Sequence, residues 1–425
     1  MSVLSESDPC VPTIHVPQPP RWFGFQPWFP QSRAGILCAI ETWLVSLFLV
    51  LFLHVGSSPY LAFALAGSFF CHLYLRRNLA ESLTAILAGL SYAAAYLLFL
   101  HPYRPYVGFD LGAGGAFLGC GSLGVMALKL PSATPQIRPA LKEALLTAAL
   151  VPVLCSLSLW AVSFAARFGG LSYDFELYRF DRSLGIDTFR LARTWLGYPR
   201  LYTGLYSAAA FVYNALPLYV AACLALVLRR GEPLGFRRAV VALGAIGFAL
   251  YQVCPAAGPL YRFPCFPACL PSLAEVPALP SPLRAPAMNA MPSLHLAWTL
   301  LCLLYVWRLG NLVRMPAVLV ALLTAAATLL SGEHYVVDLI VAVPLTVAVR
   351  GAFYLEAGLR ARLTIGGAGL AIVLAWVVSG RLGLLALSSP GWSRSLAAAT
   401  VLLSGLAAIR TCRRAHPNTS PAYGR

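Results

Sequence analysis

Residues 315–355 read MPAVLVALLTAAATLLSGEHYVVDLIVAVPLTVAVRGAFYL. Two apolar runs, 315–331 and 335–355, are separated only by Ser331 to His334. Each is close to the ~20 residues needed to cross a hydrocarbon core at about 1.5 Å per residue. In lipid every backbone polar group has to be satisfied within its own segment, so the runs read as helices, and a connection this short makes them an antiparallel hairpin.

Working outward, similar runs fall near 34–54, 58–75, 80–100, 108–128, 144–165, 204–228, 239–254, 293–308, 364–380 and 394–409. The chain is therefore expected to be an all-α, polytopic transmembrane helical bundle of about 12 spans. Composition agrees: 59% of the 425 residues are hydrophobic, only 11% are charged, and mean hydropathy is +0.74. The expected organisation is a tail over 1–33, N-terminal helices over 34–165, an external segment over 166–200, a core over 201–356, and C-terminal helices with a basic tail over 357–425. The tail is rich in Pro and Trp and lacks the short apolar core and cleavage site of a secretory signal, so it is expected to lie near the membrane surface.

The formal charge of +16 does not indicate a nucleic-acid partner, because the basic residues come in small groups between apolar runs and no soluble portion remains to carry a groove. Threaded through twelve spans, about 20 of the 31 Lys and Arg fall on one side, which marks the cytoplasm and places both termini there. The opposite side holds 166–200, where Asp174, Glu176, Asp181 and Asp187 largely cancel the basic residues. That aromatic, mixed-charge segment reads either as a lid over the outer face or as a connector resting on headgroups. Of eleven cysteines none has metal-ligand spacing and most lie inside apolar runs, while Cys254, Cys265 and Cys269 sit at or beyond the end of the run at 239–254. If their loop faces an oxidising compartment, two of them can form a disulfide.

The same topology brings His295 and His334 to one depth, each at the non-cytoplasmic start of a span. His334 and Asp338, in SGEHYVVD, are four residues apart, so a helix puts them on one face within hydrogen-bonding reach. An ionised Asp inside a membrane costs about 3 kcal/mol, which makes such a residue a functional candidate. In NAMPSLHLAW, Pro292 and Ser293 mark a helix start whose free N–H groups favour an anion, with the Ser293 hydroxyl as a further donor. Two imidazoles, a carboxylate and an anion-binding helix end are the parts for nucleophilic and acid–base work on phosphorus, without a cofactor or metal. His15, His54, His72, His101 and His416 lack a partner motif and read as surface or interface residues.

MPSLH, followed 39 residues after its His by the His of HYVVD, resembles the lipid phosphatase and phosphotransferase superfamily of type 2 phosphatidic acid phosphatases. Within it the inositol phosphorylceramide synthase and sphingomyelin synthase branch is the most similar. The resemblance covers about 201–356 and implies a six-helix-type catalytic core. It implies His334 as nucleophile forming a phosphohistidine, Asp338 as its orienting partner and His295 as the proton donor to the leaving alcohol. The phosphatase branch carries a Lys and Arg-Pro motif and a Ser-Arg pair that are missing here in place. Lys129 to Arg138-Pro139 looks similar but has the wrong spacing and side. Arg262, and less so Arg284, are the candidates to replace that phosphate clamp, although a cation anchored to headgroups fits the same position.

Three functions are consistent with these residues. The first is transfer of a phosphorylated headgroup, phosphoinositol being the leading choice, from a phospholipid to a lipid alcohol. The second is a lipid phosphate or prenyl diphosphate phosphatase with water as acceptor. The third, a transporter or structural membrane protein, would show paired interrupted helices in repeated halves, and no such repeat is seen.

Overall fold

The computed structural model describes residues 59–76, 78–99, 111–168, 170–196, 199–229, 233–269, 271–274, 276, 280–283, 287–354 and 357–413. The expected tail, the run at 34–54 and Arg284 lie outside them. The described residues are almost entirely helical. Four long helices come first: α1 (Pro59–Arg76), α2 (Leu79–Phe99), α3 (Leu111–Ser132) and α4 (Arg138–Phe168). Glycines of α3 face both neighbours, Gly115 and Gly119 against α1 and Gly121 against α2, so these helices approach it closely. A Cβ at Gly119 would overlap the Leu65 carbonyl of α1, so only glycine allows this contact. At the far end of these helices Glu81 accepts two 2.9 Å hydrogen bonds from Arg76 and pairs with Lys129, with His72 buried 3.8 Å away. Four side chains from α1, α2 and α3 thereby share one buried charge cluster.

After a two-residue strand β1 (Leu171–Ser172) come α5 (Asp174–Leu184), α6 (Thr188–Leu196), α7 (Pro199–Asn214), α8 (Leu216–Leu228) and α9 (Pro233–Val253). The single span expected at 204–228 is broken: α7 and α8 meet at 59°. Pro217, in the first turn of α8, cannot donate to the carbonyl four residues back and its ring crowds it, so the helix bends and α7 ends at Tyr213–Asn214. A short α10 (Pro259–Arg262) and strand β2 (Ser281–Pro282) precede α11 (Leu294–Val306), α12 (Asn311–Leu330), α13 (Val336–Ala352), α14 (Leu359–Arg381) and α15 (Pro390–Arg413).

The apolar helices are those of a multi-pass membrane protein, and they match the twelve expected spans in part. Among the described residues seven helices, α2, α3, α4, α9, α12, α14 and α15, are long and apolar enough to cross, or eight if the bent α7–α8 pair is one span. Of the expected runs, 34–54 lies outside the described residues, and 58–75, 293–308 and 335–355 are not among these helices. α11 has 13 residues and α13 has 17, because both begin at loops sunk into the bundle, where packed helices replace lipid. Val337, Val341, Ala342 and Leu345 of α13 are fully buried among α9, α11, α14 and α15.

At the end where α11 and α13 begin, α5, α6 and the loop before α11 form a layer. β1 pairs antiparallel with β2, Leu171 opposite Pro282. Tyr178 donates to the Pro271 carbonyl (2.7 Å), and Arg179 to those of Leu273 and Val276. Phe175, Tyr178, Phe189, Phe263 and Phe266 interlock beneath. Cys265 and Cys269 form a disulfide, while Cys254 is free and buried.

Candidate active site

His334 occupies the turn just before α13, not the helix itself. Its Nδ1 donates to the Ala290 carbonyl at 2.8 Å. A carbonyl oxygen only accepts, so Nδ1 carries a proton, and in the neutral ring the Nε2 lone pair is left free. Nε2 faces the Ser293 hydroxyl at 3.3 Å. Asp338 sits 3.5 Å from Nδ1 and uses the same oxygen, Oδ2, to accept the Tyr335 N–H at 2.7 Å. The hydrogen bond that the four-residue spacing led one to expect goes instead to Ala290, and Asp338 acts on the ring by charge while capping α13. His334 is 2% exposed, and Asp338 and Ser293 not at all.

The support for His334 comes from α5, within the 166–200 segment. α5 buries seven of its eleven residues, three of them acidic. Asp181 accepts the Val336 and Val337 N–H groups at 2.7 and 3.0 Å, closing the exposed donors of the α13 N-terminus. Asp174 accepts from Gly258 N (2.8 Å), Ala257 N (3.0 Å), the Tyr335 hydroxyl (2.9 Å) and Ser172. It thereby fixes the loop whose Ala256 carbonyl receives the Ala290 N–H at 2.8 Å. At Gly258, φ is +95° and a Cβ would strike the Glu333 carbonyl, so glycine lets this loop lie directly on the His334 turn. Burial pushes the Asp174 and Asp181 carboxyls up, against the pull of these donors. Burial also pushes Glu176 up to about 7, and no described residue hydrogen-bonds either of its carboxyl oxygens.

His295 is the second residue of α11, following Ser293 at the N-cap, whose hydroxyl accepts from Leu296 N at 3.5 Å. The His295 and His334 rings lie 6.1 Å apart between centroids. Tyr213 of α7 stacks on His295 at 4.1 Å, and its hydroxyl lies 3.2 Å from His295 Nδ1 while donating to Glu333. Tyr60 of α1 closes the group at 5.7 Å from His295. A cavity of about 280 Å³ reaches this point, lined by both histidines and with Leu154 and Leu159 of α4, Val220 of α8 and Trp298 of α11 as apolar walls.

The structure thus brings together His295, His334, Asp338 and Ser293, but not Arg262. The Arg262 guanidinium lies 3.8 Å over the Phe175 ring and donates to Ser281 and the Pro282 carbonyl, so it serves the outer layer. Lys129 and Arg138 are also elsewhere, on Glu81 and the Pro131 carbonyl. Among the described residues no group of three or more His, Cys, Asp or Glu is disposed to hold a metal ion. Sequence reasoning missed Asp174, Asp181, Tyr213, Glu333 and Tyr335. The local signals were Glu333 and Tyr335, which flank His334 in the sequence; Asp174, Asp181 and Tyr213 become neighbours of the site only through folding.

No curated protein and no solved structure matches the chain. A family model does: residues 175–352, from α5 to the end of α13, match the one described as PAP2 superfamily. The match takes in α5, upstream of the residue 201 at which the sequence reading begins the core. This stretch of the chain is a PAP2 superfamily domain.

Proposed function

We propose that the protein is a membrane phosphotransferase that moves a phosphorylated headgroup, phosphoinositol being the leading candidate, from a phospholipid to a lipid alcohol. Membership of the superfamily suggests a lipid phosphatase or phosphotransferase. The observation that carries the reading further is the hydrogen bond from His334 Nδ1 to the Ala290 carbonyl, which in the neutral ring leaves Nε2 without a proton, beside Ser293 and on an apolar-walled cavity. In the first step Nε2 attacks phosphorus, the bond from phosphorus to the leaving oxygen breaks, and protonated His295 gives that oxygen its proton. In the second step His295 takes the proton of the acceptor hydroxyl, whose oxygen attacks phosphorus and breaks the P–N bond. Asp338 opposes the positive charge that His334 gains, and Ser293 with the α11 N-terminus holds the phosphate oxygens.

Burial favours a lipid alcohol over water as acceptor, because His334, Asp338 and Ser293 are closed to solvent whereas the cavity walls suit a hydrocarbon chain. The water-using alternative, a lipid phosphate or prenyl diphosphate phosphatase, has the same steps with a different acceptor. The reading also places both termini in the cytoplasm and the site toward the other face of the membrane. The test is incubation of the purified protein with headgroup-labelled phosphatidylinositol, or with phosphate-labelled phosphatidic acid, with and without ceramide or diacylglycerol. Label in a new lipid that depends on the added alcohol is expected. Water-soluble label instead means a phosphatase, and no release from any lipid contradicts both readings.

A further inference from the structure

His334 has two partners that hold its ring, and the mirror question is what holds His295. Its Nδ1 has one polar neighbour in hydrogen-bonding range among the described residues, the Tyr213 hydroxyl at 3.2 Å. That hydroxyl has a single proton and gives it to the Glu333 carboxyl. The phenol oxygen then has only lone pairs to offer, so Nδ1 must be the donor and the free lone pair of His295 must lie on Nε2.

We infer that Tyr213 and Glu333 are positioning residues for His295, a hydrogen-bonded relay that fixes its tautomer and steadies the imidazolium it becomes when it carries a proton. The inference rests on the reading of His295 as proton carrier, and it adds two residues to that site. Three parts of the fold build the relay. Pro217 ends α7 where Tyr213 meets the site, the stacked phenol prevents the imidazole from turning, and Glu333 is fixed by its place next to His334 with its carbonyl against Gly258. In the proposed first step the proton leaves Nε2 for the departing alkoxide, and in the second it returns to Nε2 from the acceptor. Nδ1–H stays on the phenol oxygen throughout, and Glu333 supplies the negative charge behind it.

Two measurements on the full-length protein in nanodiscs test this. The first is ¹⁵N NMR with labelled histidine, the His295 signals being assigned with H295N. Wild type should show the Nδ1–H form, and Y213F should lose it in favour of a mixture. A wild-type Nε2–H form, or an unchanged tautomer in Y213F, would overturn the relay. This arm needs no substrate, so it stands even if no lipid is turned over, an outcome that would instead count against the function proposed above. The second is kinetics with the active lipid pair. Y213F and E333Q should each lower kcat by about 10- to 100-fold with KM nearly unchanged, as for loss of a partner that orients a reacting group. The double variant Y213F/E333Q should be no worse than Y213F alone, because Glu333 acts through Tyr213. Multiplying losses, or a change confined to KM, would contradict the relay.

Discussion

The two imidazoles of the site are held in contrasting ways. His334 sits in a turn, its Nδ1 on a backbone carbonyl with Asp338 four residues along the chain, and the layer around α5 stiffens both. His295 sits on a helix, its Nδ1 facing a phenol from α7, 82 residues upstream, with a carboxyl behind it. A backbone carbonyl cannot change its protonation, which suits a ring that must present one lone pair to phosphorus. A phenol backed by a carboxyl places fixed negative charge behind a ring that gains and loses a proton at Nε2, which suits proton transfer. The difference in support thus parallels the difference in proposed role.

Replacing the rings themselves tests that parallel most severely. H334A should remove turnover altogether, a loss of at least about 10⁴-fold, because nothing else supplies the attacking atom. H295A should lose about 10²- to 10⁴-fold, the range for a general acid, and should still accept label slowly on His334. Both variants should insert and purify like wild type. Substantial activity in H334A would collapse the distinction between the two sides.

A smaller effect should come from the carboxylate that supports only the His334 side. D181A strips the Val336 and Val337 N–H groups of their acceptor, at a cost of about 1–3 kcal/mol, and lets the α13 start move. A lower Tm in detergent, with reduced kcat, is expected. If kcat holds while Tm falls, α5 supports the fold without ordering the nucleophile.

Glu176 tests the same layer through pH. Folded Glu176 keeps its proton up to about 7, whereas an unfolded chain releases it near 4.5, so between these values the folded state holds the extra proton. Stability should therefore fall as pH rises from 4.5 through 7, by about 1.4 kcal/mol per pH unit. Tm against pH should show this decline in wild type and lose it in E176Q. The smallest effect is expected for R262A. Loss of its contact with Phe175 costs about 1 kcal/mol of stability and leaves kcat within about threefold of wild type. A large rise in KM would return Arg262 to the phosphate.

This contrast also decides what could be read in advance. Apolar length gave α1 and α12 to within a few residues, and the spacing of His334 and Asp338 pointed to one half-site, because both signals are local in the chain. Membrane burial was less legible. An apolar run looks the same facing lipid or facing other helices, so α11 and α13 were counted as spans although they are short and enclosed. The bend at Pro217 was overlooked within an otherwise uniform run, and with it went Tyr213. Asp174 and Asp181 looked like surface charges offset by arginines, since the sequence does not show that they face the buried N–H groups of Gly258 and Val336. Arg262 was chosen for its loop and sign, which cannot reveal that Phe175 and Ser281 hold it elsewhere.

The measurement closest to the central claim is capture of the covalent intermediate. The full-length protein, mixed with phosphate-labelled lipid donor and quenched in alkali within a turnover, should carry label that is stable to alkali, lost in acid, and located by mass spectrometry on His334. Label on another residue, or full turnover with none on His334, would contradict the account.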